Sequence, residues 1–346
     1  MFVSLGNTIV WRIAFGRMQK QEQGFMPVML EMVKVFGGFG LGNLFPSSKL
    51  LRMIIGTERF ARKLHKEADV ILEGILDEHI ARRAERERAN KDHDTSAAQA
   101  AAAAATEDLV DALLNLKDDG KGHGFAFTNV EIKGVILDMF LGGSDTSTAT
   151  VEWAMSELMR NPRVMEKAQN EVRRVFDGRG GAVDKQGLEE LSYLKLVVKE
   201  AFRMHPPAPL LAPRECQKTV TIAGYEIPAK TRVMINILAI GRDPRHWTKP
   251  DEFYPERFLD RPPVDIHGTH FEFTPFGAGR RMCPGVLFGA ALVELLLTHL
   301  LYHFDWKLPS GTDPQNLDMS ECFGVVVRRN TDLHLISVPY HPKTVY

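Results

Sequence analysis

The feature that most constrains the fold is one long helical segment in the middle of the chain, residues 128–160. Thr128 and Glu131 have the spacing of a capping box at its start, and Asn161-Pro162 ends it. A helix of this length spans about 50 Å, given the rise of each residue along the axis. Such a helix must cross the whole domain, so the other elements have to pack around it.

The centre of this helix is polar, although a buried helix is expected to be apolar. Residues 142–148 read "GGSDTST", with two glycines followed by small polar or acidic residues. Gly142 and Gly143 each cost about 1 kcal/mol relative to Ala, and Ser and Thr side chains compete locally for backbone hydrogen bonds. A close helix–helix contact would explain the glycines alone. A kinked, polar helix centre that faces a ligand also explains Asp145 and the hydroxyls, and we favour it.

The remaining pattern predicts a mainly α protein with a minor β-sheet. Alternation of apolar residues around Gly224 and Pro228 predicts a small hairpin, and a second hairpin is expected at the C-terminus. The Ala-rich tract 91–107 has no apolar face and is interpreted as a surface linker. Further helices are predicted over 47–90, 107–116, 162–176 and 192–206, the last ended by two prolines.

Composition excludes several classes of function. The 346 residues carry a net charge of -1, so no basic field favours nucleic acid. Three scattered cysteines are too few for a disulfide framework or a zinc cluster. The N-terminus is a poor signal peptide, because its positive charges follow the apolar residues. The apolar stretch from Gly285 contains Glu294 and two histidines, which favours a buried core helix over a membrane span.

One cysteine lies in an unusual loop, "FGAGRRMCPG" at residues 276–285. Arg280 and Arg281 precede Cys283, and Pro284 follows it at the expected start of a helix. Cations, backbone N–H groups and a helix N-terminus all stabilise a thiolate. A structural cysteine needs none of these features, and no Cys–His pattern supports a catalytic nucleophile. An axial thiolate ligand to haem iron explains the loop better.

Two weaker motifs accompany this loop. Glu200 and Arg203 are three residues apart, so they share one helix face within ion-pairing distance. Arg257 lies in an irregular run that is expected to be buried. The pair of Glu200 and Arg203 alone is also typical of a solvated surface pair. Neither motif is informative by itself, and their order and distance from the cysteine loop give them weight.

Together these motifs resemble those of the cytochrome P450 monooxygenases, in particular the plant microsomal type. The loop matches the family's F-x-x-G-x-R-x-C-x-G signature at Phe276, Gly279, Arg281, Cys283 and Gly285. "EAFR", "PERF" and "GGSDTS" match three further family motifs in the right order and spacing. The resemblance covers nearly the whole chain and implies one partial P450 domain over 1–346, with the distal helix at 128–160 and the haem-binding loop and next helix at 273–304.

The resemblance implies a role for each matching residue. Cys283 would be the proximal ligand of haem b, and Arg281 and Arg214 would pair with the haem propionates. Asp145 and Thr146 would deliver protons during dioxygen activation, and Gly142 and Gly143 would open space for oxygen and substrate. The residues expected to form a buried structural network are Glu200, Arg203 and Arg257.

The resemblance also implies a reaction and partners. The expected reaction is hydroxylation or epoxidation of a lipophilic plant specialised metabolite, with a terpenoid as one candidate. NADPH and flavins would act only through NADPH-cytochrome P450 reductase. The full-length form would lie on the cytosolic face of the endoplasmic reticulum membrane. The apolar segments expected to line the substrate pocket, unless they are plain core, are 36–45, 136–140, 208–212 and 323–325.

The chain departs from the family pattern at its N-terminal side. No part of it matches the family's membrane anchor, Pro-rich hinge or early helices, so the resemblance implies a chain truncated by about a third of the fold. This leaves two hypotheses: a haem-thiolate monooxygenase represented by its C-terminal portion, or a non-catalytic remnant that is unstable or binds haem without turnover.

Overall fold

The computed structural model describes residues 2–16, 22–37, 57–91, 108–118, 127–260, 263–322 and 324–341. Within these ranges the structure is mainly helical with four small sheets, so the predicted fold class is confirmed. The described α-helices are α1 (Phe2–Phe15), α2 (Glu22–Gly37), α3 (Thr57–Lys91), α4 (Leu109–Asp118), α5 (Asn129–Arg160), α6 (Pro162–Asp177), α7 (Lys185–Glu190), α8 (Ser192–Met204), α9 (Ile237–Gly241) and α10 (Val286–His303).

The described strands pair two by two, and every pair is antiparallel. The turn at Ala223 and Gly224 joins β2 to β3, where the sequence predicts a hairpin. The strand pairs are β1 (Arg214–Glu215) with β4 (Arg232–Val233), β2 (Val220–Ile222) with β3 (Tyr225–Ile227), β5 (Phe304–Lys307) with β8 (Ile336–Pro339), and β6 (Glu321–Cys322) with β7 (Arg328–Arg329).

The chain divides into two compact units, Val3–Asp145 and Thr146–Tyr346, which are described separately. The boundary falls within α5, so this helix contributes its first half to one unit and its second half to the other. The single partial domain over 1–346 that the family resemblance implies stays a prediction.

The first unit is built around buried aromatic rings from α1, α2 and α5. Phe140 stacks on Phe15 with centroids 5.3 Å apart and meets Trp11 and Phe25 edge to face. All four rings are almost fully buried, and offset or edge-to-face pairs add to the stability that burial gives. Phe140, which the resemblance assigns to a substrate pocket, is thus a core residue of this unit.

The second unit has α6, α8 and α10 at its centre. The apolar residues of α6 recur every three or four positions, and Val164, Ala168 and Val172 are buried. Glu171 on the same helix accepts hydrogen bonds from the backbone N–H groups of Tyr193 and Leu194 at 2.8 Å each. It caps the N-terminus of α8, whose first N–H groups have no partner within the helix.

Several element boundaries differ from those predicted from the sequence. The helix predicted from residue 47 begins at Thr57 as described, and residues 47–56 lie outside the described ranges. The helix predicted over 107–116 runs from Leu109 to Asp118, because Asp108 accepts from the N–H of Asp111 and so caps it. The linker predicted over 91–107 lies outside the described residues, except for Lys91 at the end of α3.

The long helix is continuous from Asn129 to Arg160, with no interruption at its polar centre. At its start, the Glu131 carboxylate accepts from the backbone N–H of Thr128 at 2.9 Å and also from the Thr128 hydroxyl. The Thr128 hydroxyl donates to Glu131, and among the described residues no helix N–H donates to that hydroxyl. Only one half of the capping box therefore forms.

Among the described helices, Val286–His303 has the length and hydropathy of a membrane span. However, 56% of its residues are buried within the protein, and it packs against α6 and α8. This agrees with the prediction of a core helix.

Candidate functional site

The cysteine loop is closed by backbone hydrogen bonds around the thiol. The N–H of Cys283 donates to the carbonyl oxygen of Phe276 at 2.9 Å, and the N–H of Met282 donates to Gly279 at 3.1 Å. Gly277 and Gly279 have φ values of +74° and +70°, which side chains disfavour. The glycines of this motif are thus required by the loop's backbone, and Cys283 remains a half-buried free thiol.

Helix α10 begins directly after the thiol. Gly285 is its N-cap residue, and no side chain caps it. A Cβ on Gly285 would lie 3.8 Å from the Cys283 sulfur, so the sulfur is close to the helix N-terminus. The positive end of the helix dipole favours a thiolate at this position.

Two arginines meet beside the loop. The Nη2 atom of Arg214, on β1, donates to the carbonyl oxygen of Arg281 at 3.0 Å. Among the described residues, neither guanidinium has a carboxylate within 4 Å. The Arg214 side chain, 67 residues away in sequence, is thus held against the backbone of the loop. A guanidinium without a carboxylate partner can bind an external anion.

Phe276 connects the loop to the surrounding helices of the second unit. Its ring meets Phe202 of α8 edge to face, with centroids 5.0 Å apart. A Cβ built on Gly289 would lie 3.5 Å from the Phe276 ring and 3.9 Å from the Ser147 hydroxyl oxygen. At Gly289, α10 therefore lies close to both Phe276 and the second half of α5, with room for ordinary van der Waals contact.

Glu200, Arg203 and Arg257 form one buried network. Arg203 donates to both carboxylate oxygens of Glu200 at 2.8 and 2.9 Å, and Arg257 donates to Glu200 at 3.0 Å. All three side chains are at most 5% exposed. Loss of one partner would leave an uncompensated buried charge.

The remaining guanidinium N–H groups bind backbone carbonyl oxygens. Arg203 donates to Gly241 at 2.6 Å and to Pro250 at 2.7 Å, while Arg257 donates to Thr248, Lys249 and Glu252. Burial lowers the pKa of Arg257, against the opposing effect of Glu200. The network thus ties α8 to the irregular segment 241–257, which carries no regular sheet or long helix of its own.

Gly142, at the polar centre of α5, makes no close helix contact with the described residues. Within the described part of the chain, no atom lies within 4 Å of a Cβ built on Gly142, and Gly142 is exposed. Asp145 and Ser147 are buried, and Thr146 is half-buried. The Ser144 hydroxyl donates a hydrogen bond to the Phe140 carbonyl oxygen at 2.8 Å, so this hydroxyl has a partner within the helix.

Two positions beside the loop were not singled out by the sequence. A Cβ on Gly268 would lie 2.6 Å from the Gly277 carbonyl oxygen and 2.9 Å from the Ala278 Cα, so only glycine fits there. Leu211 has a left-handed φ of 52°, rare for a bulky residue, and its Cδ1 lies 3.6 Å from the position of a Gly277 Cβ. Gly268 lies in an irregular run without a recognisable turn motif, so its role is visible only in three dimensions.

The other segments that were candidates for the substrate pocket differ in their exposure. Ala208 and Leu211 are half-buried and Ala212 is exposed, so this segment offers an accessible apolar surface in the second unit. Val325 is exposed, whereas Ile136 is fully buried in the first unit. Residues 38–45 and Phe323 lie outside the described ranges.

Comparisons with known proteins agree with this architecture. A family model described as Cytochrome P450 matches residues 3–336. The chain belongs to the cytochrome P450 family. Proteins of this family bind haem b through a cysteine thiolate.

Named relatives are plant proteins. The chain is 49% identical over 341 residues to desmethyl-deoxy-podophyllotoxin synthase of Sinopodophyllum hexandrum, 45% over 336 residues to premnaspirodiene oxygenase of Hyoscyamus muticus, and 44% over 333 residues to germacrene A hydroxylase of Barnadesia spinosa. These matches cover 96–99% of this chain and 62–64% of each relative. The chain thus spans less than two thirds of the length of these relatives.

The fold is also similar to solved P450 structures. A zebrafish cytochrome P450 with progesterone superposes with a TM-score of 0.74 at 24% identity, covering 98% of this chain and 71% of that one. Its structure with abiraterone gives a TM-score of 0.72 at 23% identity. At this identity the likeness establishes the fold.

The described residues fit a haem. Cys283 supplies a free, half-buried sulfur at an uncapped helix N-terminus. Arg214 lies against the backbone of Arg281, and neither guanidinium has a carboxylate partner among the described residues, which suits a ligand that carries negative propionates. No described atom lies within 4 Å of a Cβ built on Gly279, so this part of the loop is open.

Proposed function

We propose that the protein is a haem-thiolate monooxygenase that oxidises a lipophilic plant specialised metabolite. The observation that carries this proposal is the placement of Cys283, a free thiol between two arginines and the uncapped start of α10. A buried structural cysteine would require neither the two left-handed glycines nor the unpaired cations.

Cys283 would hold the haem iron through its sulfur. The helix N-terminus after Gly285 and the adjacent Arg281 stabilise the thiolate form, which is the ligand form of cysteine. Arg281 and Arg214 would bind the propionates and so fix the orientation of the porphyrin plane. When bound, the haem supplies the redox centre at which dioxygen is reduced and one oxygen atom is inserted into the substrate.

The atoms and electrons of this reaction balance with two protons and two electrons. One oxygen atom of dioxygen enters a C–H bond or a double bond, and the other leaves as water. Asp145 and Thr146 would hold and transfer these protons, because a carboxylate and a hydroxyl side by side on one helix form a short relay. Gly142 and Gly143 would leave room beside this relay, as the open space at Gly142 supports.

Glu200, Arg203 and Arg257 would act structurally. Their network holds α8 and the segment 241–257 together, and α8 carries Phe202, which contacts Phe276 of the cysteine loop. A rigid support of this kind keeps a metal ligand within the narrow geometry that its role requires.

The substrate class is inferred from the relatives. Two of the three named relatives are an oxygenase of premnaspirodiene and a hydroxylase of germacrene A. A terpenoid substrate agrees with the accessible apolar segment 208–211. Electrons would come from NADPH-cytochrome P450 reductase at the cytosolic face of the endoplasmic reticulum membrane, the location proposed for the full-length form.

The experiment that tests this function is reconstitution of the purified chain with haem, NADPH-cytochrome P450 reductase and a panel of plant terpenoids. We expect a substrate-induced shift of the Soret band with at least one terpenoid, and NADPH-dependent formation of a product 16 mass units heavier, the mass of one oxygen atom. Haem uptake without any product would contradict the monooxygenase assignment while leaving the haem site intact. Failure to take up haem would contradict both the haem site and the monooxygenase assignment.

A further inference from the structure

Two histidines form a pair on the outer face of α10. His299 and His303 are four residues apart, and their rings lie nearly parallel, with centroids 5.5 Å apart and an interplanar angle of 14°. Residues at this spacing are neighbours on a helix surface. Both side chains are exposed, whereas Leu300, Leu301 and Tyr302 between them are buried in the second unit.

The ring nitrogens of this pair are available. No hydrogen bond from a described residue occupies any of the four ring nitrogens of His299 and His303. Both rings lie on the exposed face of α10, so an ion can reach their nitrogens from solvent. A neutral imidazole nitrogen is a common metal ligand.

The surroundings also hold the rings in place and favour a positive charge. The Tyr302 ring meets His303 at 73° with centroids 4.9 Å apart, and the Tyr302 hydroxyl donates to Asp177 at 3.2 Å. His303 is the last residue of α10, and the C-terminal end of a helix dipole attracts cations. A divalent ion would therefore meet two preoriented ligands at the negative end of a helix.

We propose that His299 and His303 form a two-histidine binding site for a divalent transition-metal ion, completed by water. Imidazole nitrogen suits zinc, nickel and copper ions, and two histidines four residues apart on one helix face are a known zinc-binding spacing. The ion would join two turns of α10 and fix the point at which this helix continues into β5. This site is separate from the cysteine loop at the other end of the helix and does not depend on haem.

The proposal is tested by calorimetric titration of the tag-free, full chain with Ni²⁺. We expect one equivalent to bind to the unchanged protein, and the affinity to fall at least about ten-fold in His299→Ala and in His303→Ala, since each variant leaves a single ligand. His246→Ala removes another exposed histidine and serves as the matched control, with an unchanged affinity.

The same variants give a second readout through stability. A ligand that binds only the folded state raises the melting temperature with its concentration, so Ni²⁺ should raise it for the unchanged protein and for His246→Ala but not for His299→Ala. Equal Ni²⁺ affinity in all four proteins, or no binding to the unchanged protein, would overturn the proposal. Since the titration needs no turnover, its failure would leave the proposed monooxygenase function untouched.

Discussion

Arg214 donates a hydrogen bond from Nη2 to the carbonyl oxygen of Arg281 at 3.0 Å. This contact holds the Arg214 side chain of β1 against the backbone of the cysteine loop, and among the described residues neither arginine has a carboxylate partner. A guanidinium without a carboxylate partner can form charge-assisted hydrogen bonds to an external anion. An anionic ligand beside Cys283 would therefore complete this arrangement.

Replacing Arg214 with Gln should weaken haem binding by about ten-fold, because one charge-assisted hydrogen bond to a propionate is lost, about 1.5 kcal/mol. Absorbance titration of the purified chain with haem measures this affinity. Arg280→Gln changes an exposed neighbour of Arg281 in the same loop and should leave the affinity unchanged. An equal loss in both variants would indicate general electrostatic attraction rather than a propionate contact.

Gly268→Ala should disturb the cysteine loop, since the added Cβ would overlap the Gly277 carbonyl oxygen at 2.6 Å. We expect a loss of unfolding free energy above about 2 kcal/mol, from strain at positive φ together with the overlap, and weaker haem uptake. Gly311→Ala is the matched control, because Gly311 also has a positive φ, +87°, but no described atom lies within 4 Å of its Cβ position.

Gly311→Ala should lower the free energy of unfolding by only about 1 kcal/mol, which is the cost of a left-handed backbone for alanine. This control variant should bind haem normally. Denaturant unfolding and haem titration measure both effects. Gly311→Ala reports the strain of a positive φ alone, and the additional loss in Gly268→Ala reports the overlap with Gly277. Identical behaviour of the two variants would mean that Gly268 has no specific role beside the loop.

The structure shows why part of the site could be predicted from the sequence and part could not. Cys283, Gly279 and Arg281 lie within one short motif, so their chemistry is local and visible in the sequence. Arg257 joins Glu200 across 57 residues, a contact that only the family resemblance implied. The constraint on Gly268 was not expected, because it comes from backbone atoms of Gly277 and Ala278 that the irregular chain brings against it. The left-handed φ of Leu211 was not expected either, since the sequence placed Leu211 only within an apolar segment.

The same distinction applies to the fold. The start of α5 and the apolar face of α6 follow from local capping and periodicity. By contrast, the sequence left open whether Phe140 lines a substrate pocket or belongs to the core, with the core favoured, and stacking with Phe15 of α1 buries it in the first unit. Its position depends on tertiary packing, which the apolar pattern of α5 alone does not specify.

Glu256 should make stability depend on pH in the acidic range. Burial raises the pKa of Glu256, but hydrogen bonds from Arg163, its own backbone, Lys167 and Tyr193 together lower it to about 2. Because the folded-state pKa is lowered, the stabilisation is present above the unfolded pKa of 4.5 and is lost as the pH falls from there towards 2.

Glu256→Gln should therefore lower the free energy of unfolding by about 2 kcal/mol at pH 7 and by much less near pH 3. Denaturant unfolding of both proteins across this pH range measures the difference. A constant difference between the two proteins at every pH would show that the ion pairs of Glu256 do not contribute.

Thr146→Ala should leave haem binding intact and uncouple oxygen use from product formation. The hydroxyl is the group proposed to pass protons on, and its loss removes general acid–base assistance typically worth about 10²-fold or more. Peroxide released per NADPH consumed, measured with reductase and an accepted substrate, should rise. Thr146→Ser keeps a hydroxyl and should restore coupling, whereas normal coupling in Thr146→Ala would exclude the relay role.

The central claim is that Cys283 binds haem iron through a thiolate, and the absorption spectrum of the reduced, CO-treated chain tests it most directly. With haem bound, the unchanged protein should give the red-shifted Soret band of a thiolate-ligated haem. Cys283→Ala should lose that band, while Cys216→Ala, which removes another free, half-buried cysteine of the same unit, should retain it. A thiolate-type band that persists in Cys283→Ala, or that is absent from the haem-loaded unchanged protein, would contradict the account.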